Sequence, residues 1–238
     1  MSSLEPVKKC KNCGEPLELA YCPRCGQSAN VDVPTLNAFL HDAASAVFTY
    51  DSKFWRTLKP LVLNPGFLSV EYVEGRRVPY ANPVSLYFWL QAICFLGFKL
   101  TYTAQAAEGE TRAKIILLCT IVSALYFAIV YIPKKRKFAE SVVFSLHLNA
   151  FLLLWLTLVY PLTAFVVQKL VALHWIPVIQ DVGPITTLAA VLVMVPYAII
   201  AMLRFYGEHL IWILLKVVVL YYVYFFFFSL LSRWFRVG

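Results

Sequence analysis

The last two thirds of this chain are too apolar for a water-soluble fold. Five stretches, Pro83–Thr103, Ile115–Ile132, Ser141–Val167, Ile185–Leu203 and Leu210–Leu231, are almost free of charge. A helix rises about 1.5 Å per residue, so roughly 20 apolar residues cross the hydrocarbon core of a bilayer. No water is there to satisfy exposed backbone groups, and runs of this kind must close their hydrogen bonds as helices. Composition agrees: 61% of residues are hydrophobic and 14% charged, against about 25% charged in a soluble domain. The expected fold class is an all-α polytopic membrane protein of about five transmembrane helices.

The third stretch is the longest, and Pro161 gives it a place to bend. It also reads as a span followed by a re-entrant piece over Leu162–Val178. Pro196 is a kink site in the fourth. Lys and Arg set the orientation, because cytoplasmic loops carry the excess. With the N-terminus inside, fourteen basic residues fall on the inner side and six on the outer. Arg233 and Arg236 fit an outer C-terminus poorly and keep counts of four or six spans open. Residues 1–30 are polar and hold no apolar targeting core, so the N-terminal part is expected in the cytoplasm. The net charge of +8 would suggest nucleic acid in a soluble chain. Here it marks cytoplasmic loops and contact with anionic lipid headgroups, and nucleic acid is not an expected partner.

Ahead of the apolar region stand Cys10-x2-Cys13 and, eight residues on, Cys22-x2-Cys25, each pair followed by glycine (Gly14, Gly26). Two such knuckles aim four thiolates at one centre, and the glycines suit their left-handed turns. Four sulfur ligands in a tetrahedron favour one structural Zn²⁺ per chain, with iron in the same ligand set or two disulfides as rivals. Reducing cytoplasm favours metal over disulfides. A head this small folds on its metal rather than on a core, and a closed four-sulfur site has no open position for catalysis. Its expected use is to dock a cytosolic protein or the helices next to the membrane. Cys94 and Cys119 lie in apolar runs and read as small buried residues.

The organisation is therefore a ribbon over 1–30, linker helices at the cytoplasmic surface over 31–82, and a membrane domain over 83–238. In the linker, Leu36, Phe39, Leu40, Ala43, Ala44 and Val47 have helical spacing, and His41 falls on the polar face. Phe54, Leu58, Leu61 and Val62 form a second stripe, flanked by Lys53, Arg56, Lys59 and Trp55 and expected to kink at Pro60. Asn64-Pro65 reads as cap and first residue of a third helix ending at Glu74, with Gly75 beyond it. Arg76 and Arg77 follow. They read either as a salt-bridged cluster on lipid phosphate or as clamps for an anionic headgroup or substrate, oriented by Glu71.

These motifs resemble those of a bacterial family known only as a domain of unknown function. The resemblance rests on the CxxCG…CxxCG ribbon, then FWRTL, NPG, EYVEGRR, a tyrosine and a proline before the first span. It extends loosely to Glu140…His147 and to Arg204-Phe205-Tyr206-Gly207. It implies a cytoplasmic ribbon on several spans in the bacterial inner membrane, and it carries no activity.

Inside the apolar zone each ionisable residue is a candidate site. Glu140 and His147 share a helical face, beside Ser141, Ser145 and Asn149, with His147 about 10 Å in from the start of its span. They read as interhelical glue or as a polar cavity open to the cytoplasm. Arg204, Glu208 and His209 lie at similar depth, Lys216 near the boundary, and Gln91 mid-span. Convergence of Arg76, Arg77, Glu140, His147, Arg204, Glu208 and His209 on one surface is the sharpest expectation. The first functional reading is a membrane scaffold whose ribbon docks a partner. A small transporter or channel using Glu140 and His147 comes next, then a lipid-headgroup-modifying enzyme. No hydrolase, P-loop, zincin or dinucleotide motif is present. The ribbon predicts about one zinc per chain by elemental analysis of purified protein, and its loss in Cys13→Ser.

Overall fold

The computed structural model describes residues 8–31, 53–101, 106–134, 137–159 and 183–236, with short helical pieces between 161 and 170. The expected helix over 36–47 with His41, and most of the re-entrant alternative over 162–178, lie outside the described residues. Among the described residues seven α-helices are named: α1 Lys53–Leu63, α2 Phe67–Glu74, α3 Pro83–Thr101, α4 Ala106–Val130, α5 Phe138–Leu154, α6 Gly183–Tyr206 and α7 Leu210–Arg236. The N-terminal module holds only isolated bridges, Lys9 to Pro16 and Tyr21 to Ser28.

Among the described residues three helices are long and apolar enough to cross a membrane: Phe138–Leu158, Leu188–Tyr206 and Leu210–Phe235. Pro83–Gly97 and Lys114–Val130 are shorter apolar helices packed among them. Paired contacts give the directions. Ser123 of α4 meets Asn149 of α5 while Phe127 meets Phe144, Tyr126 of α4 meets the Lys216 carbonyl of α7 while Tyr131 meets Glu208 just before α7, and Phe144 of α5 stacks on Phe205 of α6 while Phe151 stacks on Tyr197. Thus α4 and α6 run one way, and α5 and α7 the other. Gly97, late in α3, lies beside Thr157, just past the end of α5, so α3 runs with α5.

An aromatic knot closes the bundle where α4 ends and α6 ends. Tyr131 and Tyr206 stack with centroids 3.5 Å apart, and Phe127 meets Phe144 edge-on at 4.9 Å. Outward, Ile211, Trp212, Val218, Tyr222 and Phe225 of α7 are exposed, an apolar surface that suits lipid rather than water.

Between the helices runs a polar seam. Asn149 Nδ2 donates to Ser123 Oγ at 3.0 Å, and Tyr224 OH donates to Asn149 Oδ1 at 2.5 Å. The Ser123 and Ser145 hydroxyls are 2.5 Å apart, and those of Tyr87 and Thr120 are 2.8 Å apart. In an apolar medium an unpaired hydroxyl or amide is costly, so the seam pins the relative register of α3, α4, α5 and α7. The bend expected at Pro161 begins earlier. Trp155–Val159 form a π-helical turn, because a proline four residues on from Thr157 crowds that carbonyl and gives no N–H to close an α-turn.

The linker differs from expectation at one cap. Asn64, Pro65 and Gly66 form a turn closed by Phe67 N–H to Asn64 C=O at 3.1 Å, and α2 starts after Gly66, whose φ is 77°. An Asn-Pro cap would have kept the backbone right-handed, whereas the chain must turn sharply to bring α2 against α6. Gly75 does end α2, at φ 90°. Pro60 sits inside α1 without ending it, and α1 buries Thr57 and Leu61 while Val62 is exposed.

A Cβ on Gly66 would lie 2.6 Å from the Ala201 carbonyl oxygen, whereas one on Gly207, also left-handed at φ 62°, meets nothing within 4 Å. Gly207→Ala is expected to cost about 1–2 kcal/mol from backbone strain alone, and Gly66→Ala about 3 kcal/mol or more. Unfolding midpoints in detergent measure the difference.

Candidate functional site

The ribbon is two copies of one knuckle, twelve residues apart in sequence. In the first, Gly14 N–H returns to Cys10 C=O at 2.9 Å and Cys10 N–H to Glu15 C=O at 2.8 Å; in the second, Gly26 returns to Cys22 and Cys22 to Gln27 at the same distances. Gly14 and Gly26 take φ 78° and 72°. The four sulfurs lie within 4.8 Å of one another, with Cys10–Cys25 at 3.6 Å and Cys13–Cys22 at 3.4 Å. A disulfide needs about 2.05 Å, and four sulfurs around a tetrahedral ion at about 2.3 Å stand about 3.8 Å apart. The cluster can therefore hold a metal ion, and its spacing fits one better than two disulfides.

Electrostatics point the same way. Burial acts to raise the Cys10 thiol, but backbone N–H groups of Cys13 and Asn12 outweigh it and bring it down to about 7. The Glu15 backbone favours the Cys13 thiolate, yet burial and the neighbouring sulfurs push it up to about 12. Thiolates this close repel one another unless a cation sits among them.

The ribbon's second knuckle sits on the turn after α2. Gln27 is buried; its amide Nε2 donates to the Gly75 carbonyl at 2.8 Å, and its Oε1 accepts from the Arg77 N–H at 3.3 Å. The Lys11 chain lies so close over Gly75 that a Cβ there would meet it at 2.8 Å, and Lys11 Nζ donates to the Val31 carbonyl at 2.7 Å.

Below this turn lies a cavity of about 190 Å³ walled by Lys53, Tyr72, Arg76, Arg77, Tyr80 and His147 among others. Arg76 grips Glu71 with two hydrogen bonds, at 2.8 and 2.5 Å, and also pairs with Glu74. Arg77 lies over the Tyr72 ring at 4.3 Å, and its Nε donates to the Tyr72 carbonyl at 3.1 Å. His147 is buried and shares a hydrogen bond of 3.0 Å between its Nδ1 and Ser69 Oγ. That bond points the ring from α5 toward α2. Ala81 N–H donates to Thr57 Oγ1 at 2.9 Å, which ties the loop before α3 to α1. Three cationic side chains and no carboxylate line the cavity among the described residues.

The candidates expected to converge divide among separate places. Arg76, Arg77 and His147 share the cavity wall, with Glu71 one hydrogen bond behind Arg76. Glu140 is buried in the first turn of α5, apart from that wall. Arg204 donates to the Pro65 carbonyl at 2.8 Å and holds the turn between α1 and α2. His209 is exposed. Glu208 belongs to a second cluster, where it takes Lys134 at 2.9 Å, Lys216 at 2.5 Å and the Tyr131 hydroxyl at 3.1 Å. Cys94 and Cys119 are buried, away from the ribbon's sulfur cluster. Two participants had no mark in the sequence. Gln27 looks like any polar residue after a knuckle, and Ser69 lies in the middle of an apolar helix.

Residues 51–95 match a family model described as a protein of unknown function, DUF3667. The match spans α1, α2, the turn and most of α3, and so includes Lys53, Tyr72, Arg76, Arg77 and Tyr80; His147 and the ribbon lie beyond it. No curated protein and no solved structure matches the chain.

Burial acts to raise the Glu208 carboxyl, but the Lys216 and Lys134 ammonium groups prevail and hold it below its ordinary 4.5. Its pairing therefore stabilises the fold fully above that range, and the contribution is lost as pH falls through the lowered pKa. Glu208→Gln is expected to be less stable at neutral pH and to lose less stability on acidification below about pH 4.5 than the wild type, as measured by unfolding midpoints across pH.

Proposed function

We propose that this is a five-span protein of the bacterial inner membrane, with its N-terminus in the cytoplasm, that binds a phosphate-bearing anion, the headgroup of an anionic lipid, in the cavity beneath the ribbon. The carrying observation is the wall itself: Lys53, Arg76, Arg77 and His147 with two tyrosines around about 190 Å³. Sites for drug-sized ligands begin near 300 Å³, so this volume suits a phosphate group rather than a whole metabolite. Arginine forks match phosphate oxygens. Ala81 and Asn82, also in the wall, immediately precede the first apolar helix, which is the depth of lipid phosphates.

The alternating directions of α3 to α7 support five crossings, with α3 and α4 as the two shorter spans. They bring the ribbon, Lys134 and Arg204 to one side, in keeping with an excess of basic residues there. Zn²⁺ is the ion that four thiolates at this spacing favour inside a reducing cell; Cys10, Cys13, Cys22 and Cys25 would hold it, as structural support. A scaffold role through a cytosolic partner draws on the ribbon's outward face, where Leu19 and Tyr21 are exposed. The buried contact of Gln27 is made with its own chain, and this turns the ribbon toward the cavity instead. A transport path draws least support, because the seam hydroxyls and amides bond to one another.

The test is titration of the purified, zinc-loaded protein in detergent with dioctanoyl phosphatidic acid, dioctanoyl phosphatidylcholine and inorganic phosphate. Phosphatidic acid should bind most tightly, and Arg77→Ala should weaken it about tenfold or more, the cost of one charge-assisted hydrogen bond. Equal affinity for inorganic phosphate would reassign the site to the free ion. Failure of every probe to bind would remove the reading.

A further inference from the structure

We infer that metal occupancy of the ribbon controls the anion cavity: the four-cysteine centre, acting through Gln27, holds the Gly75–Arg77 turn in its binding conformation. This rests on the cavity being an anion site, and it adds how that site is regulated.

The twofold repeat of the ribbon is what singles out Gln27. The knuckles superimpose residue for residue in their backbone hydrogen bonds, so Glu15 and Gln27 hold equivalent positions. Glu15 faces outward, 3.7 Å from an exposed Arg24. Gln27 is buried and reaches from the ribbon to the turn that follows α2. Its amide does what a carboxylate cannot: it donates to a carbonyl and accepts from an N–H at once. Those two partners, Gly75 C=O and Arg77 N–H, flank Arg76, and Arg76 and Arg77 both line the cavity.

The other end of Gln27 is tied to the metal site. Its own carbonyl receives the Cys22 N–H that closes the second knuckle, and Cys25 is two residues before it. A continuous path therefore runs from the four sulfurs through one residue into the cavity wall. Without a cation the thiolates repel, and a head of this size has no core to hold its shape. Release of the knuckle frees Gln27, withdraws Lys11 from over Gly75, and leaves the turn with water in place of its two amide bonds. Arg77 then loses its backbone bond to Gln27, one of the contacts that position it beside Tyr72.

The experiment uses the full chain in detergent, zinc-loaded or treated with a chelator until elemental analysis shows the metal gone. Amide hydrogen exchange across residues 75–78 and the affinity for dioctanoyl phosphatidic acid are read together. Metal removal should speed exchange at Arg77 and weaken binding about tenfold or more. Gln27→Glu, with zinc retained, should do the same, because the carboxylate has no proton for the Gly75 carbonyl. Unchanged exchange and affinity in either sample would overturn the control while leaving the anion site standing. Failure of the zinc-loaded wild type to bind either phosphatidic acid or inorganic phosphate would overturn the site itself, and the control with it.

Discussion

At Gly66, the residue just before α2, the chain approaches α6 so closely that not even a Cβ fits. There the backbone lies against Ala201, and this contact sets where α2 and the turn after it go. Once α2 is seated there, Ser69 comes within reach of His147, and the turn at Gly75 is presented to the ribbon. The end of α1 is tied down by the same neighbour, since the Tyr197 hydroxyl donates at 2.6 Å to the Leu61 carbonyl, one of the acceptors a helix end leaves open. Arg204 does the same for Pro65. Residues 53–82 are thus part of the bundle rather than a tether, and a cavity with a rigid wall follows from that.

Two ways of settling polar groups coexist in the bundle. The seam from Tyr87 through Thr120, Ser123, Ser145 and Asn149 to Tyr224 pairs neutral groups with each other. Such pairing is modest in energy but avoids the large cost of an orphaned group in hydrocarbon. Glu208 settles a charge instead, by taking two lysines and a tyrosine at the end of the helices. The cavity differs from both, setting Lys53, Arg76 and Arg77 in its wall with Glu71 and Glu74 behind it, both engaged by Arg76.

Much of this was legible from residue order. The spacing of Cys10, Cys13, Cys22 and Cys25 announces a shared centre, because knuckle geometry is local and repeats. The apolar runs announce membrane helices for the same reason, and Gly75 announces a helix end. Arg76 and Arg77 stand out as a cationic pair, and Glu71 as a partner in reach, which the structure places on Arg76. What the sequence could not carry is long-range: that Glu208 pairs with Lys134 and Lys216 rather than joining the arginines, that Arg204 serves a turn, that His147 meets Ser69. Depth along a helix ranks residues by level and says nothing of azimuth, so seven residues at similar depth fell into different clusters. The Asn64-Pro65 cap misled for a related reason. A local cap preference of about 1 kcal/mol yields when the tertiary contact of Gly66 requires a left-handed turn.

The head and the cavity are small, and each is incomplete alone. A ribbon without a core gains from docking on Gly75, and a two-arginine turn gains from being docked upon. Binding free energies linked through one conformation are reciprocal. Whatever the metal contributes to ordering Arg77, an anion on Arg77 returns to the metal site as tighter binding, by the same factor. The residue that carries this exchange must offer a donor and an acceptor to adjacent backbone groups, be buried, and lie within a knuckle. Among the described residues Gln27 meets all three conditions, and its repeat partner Glu15, half-buried and with a carboxyl in place of the amide, meets only the last.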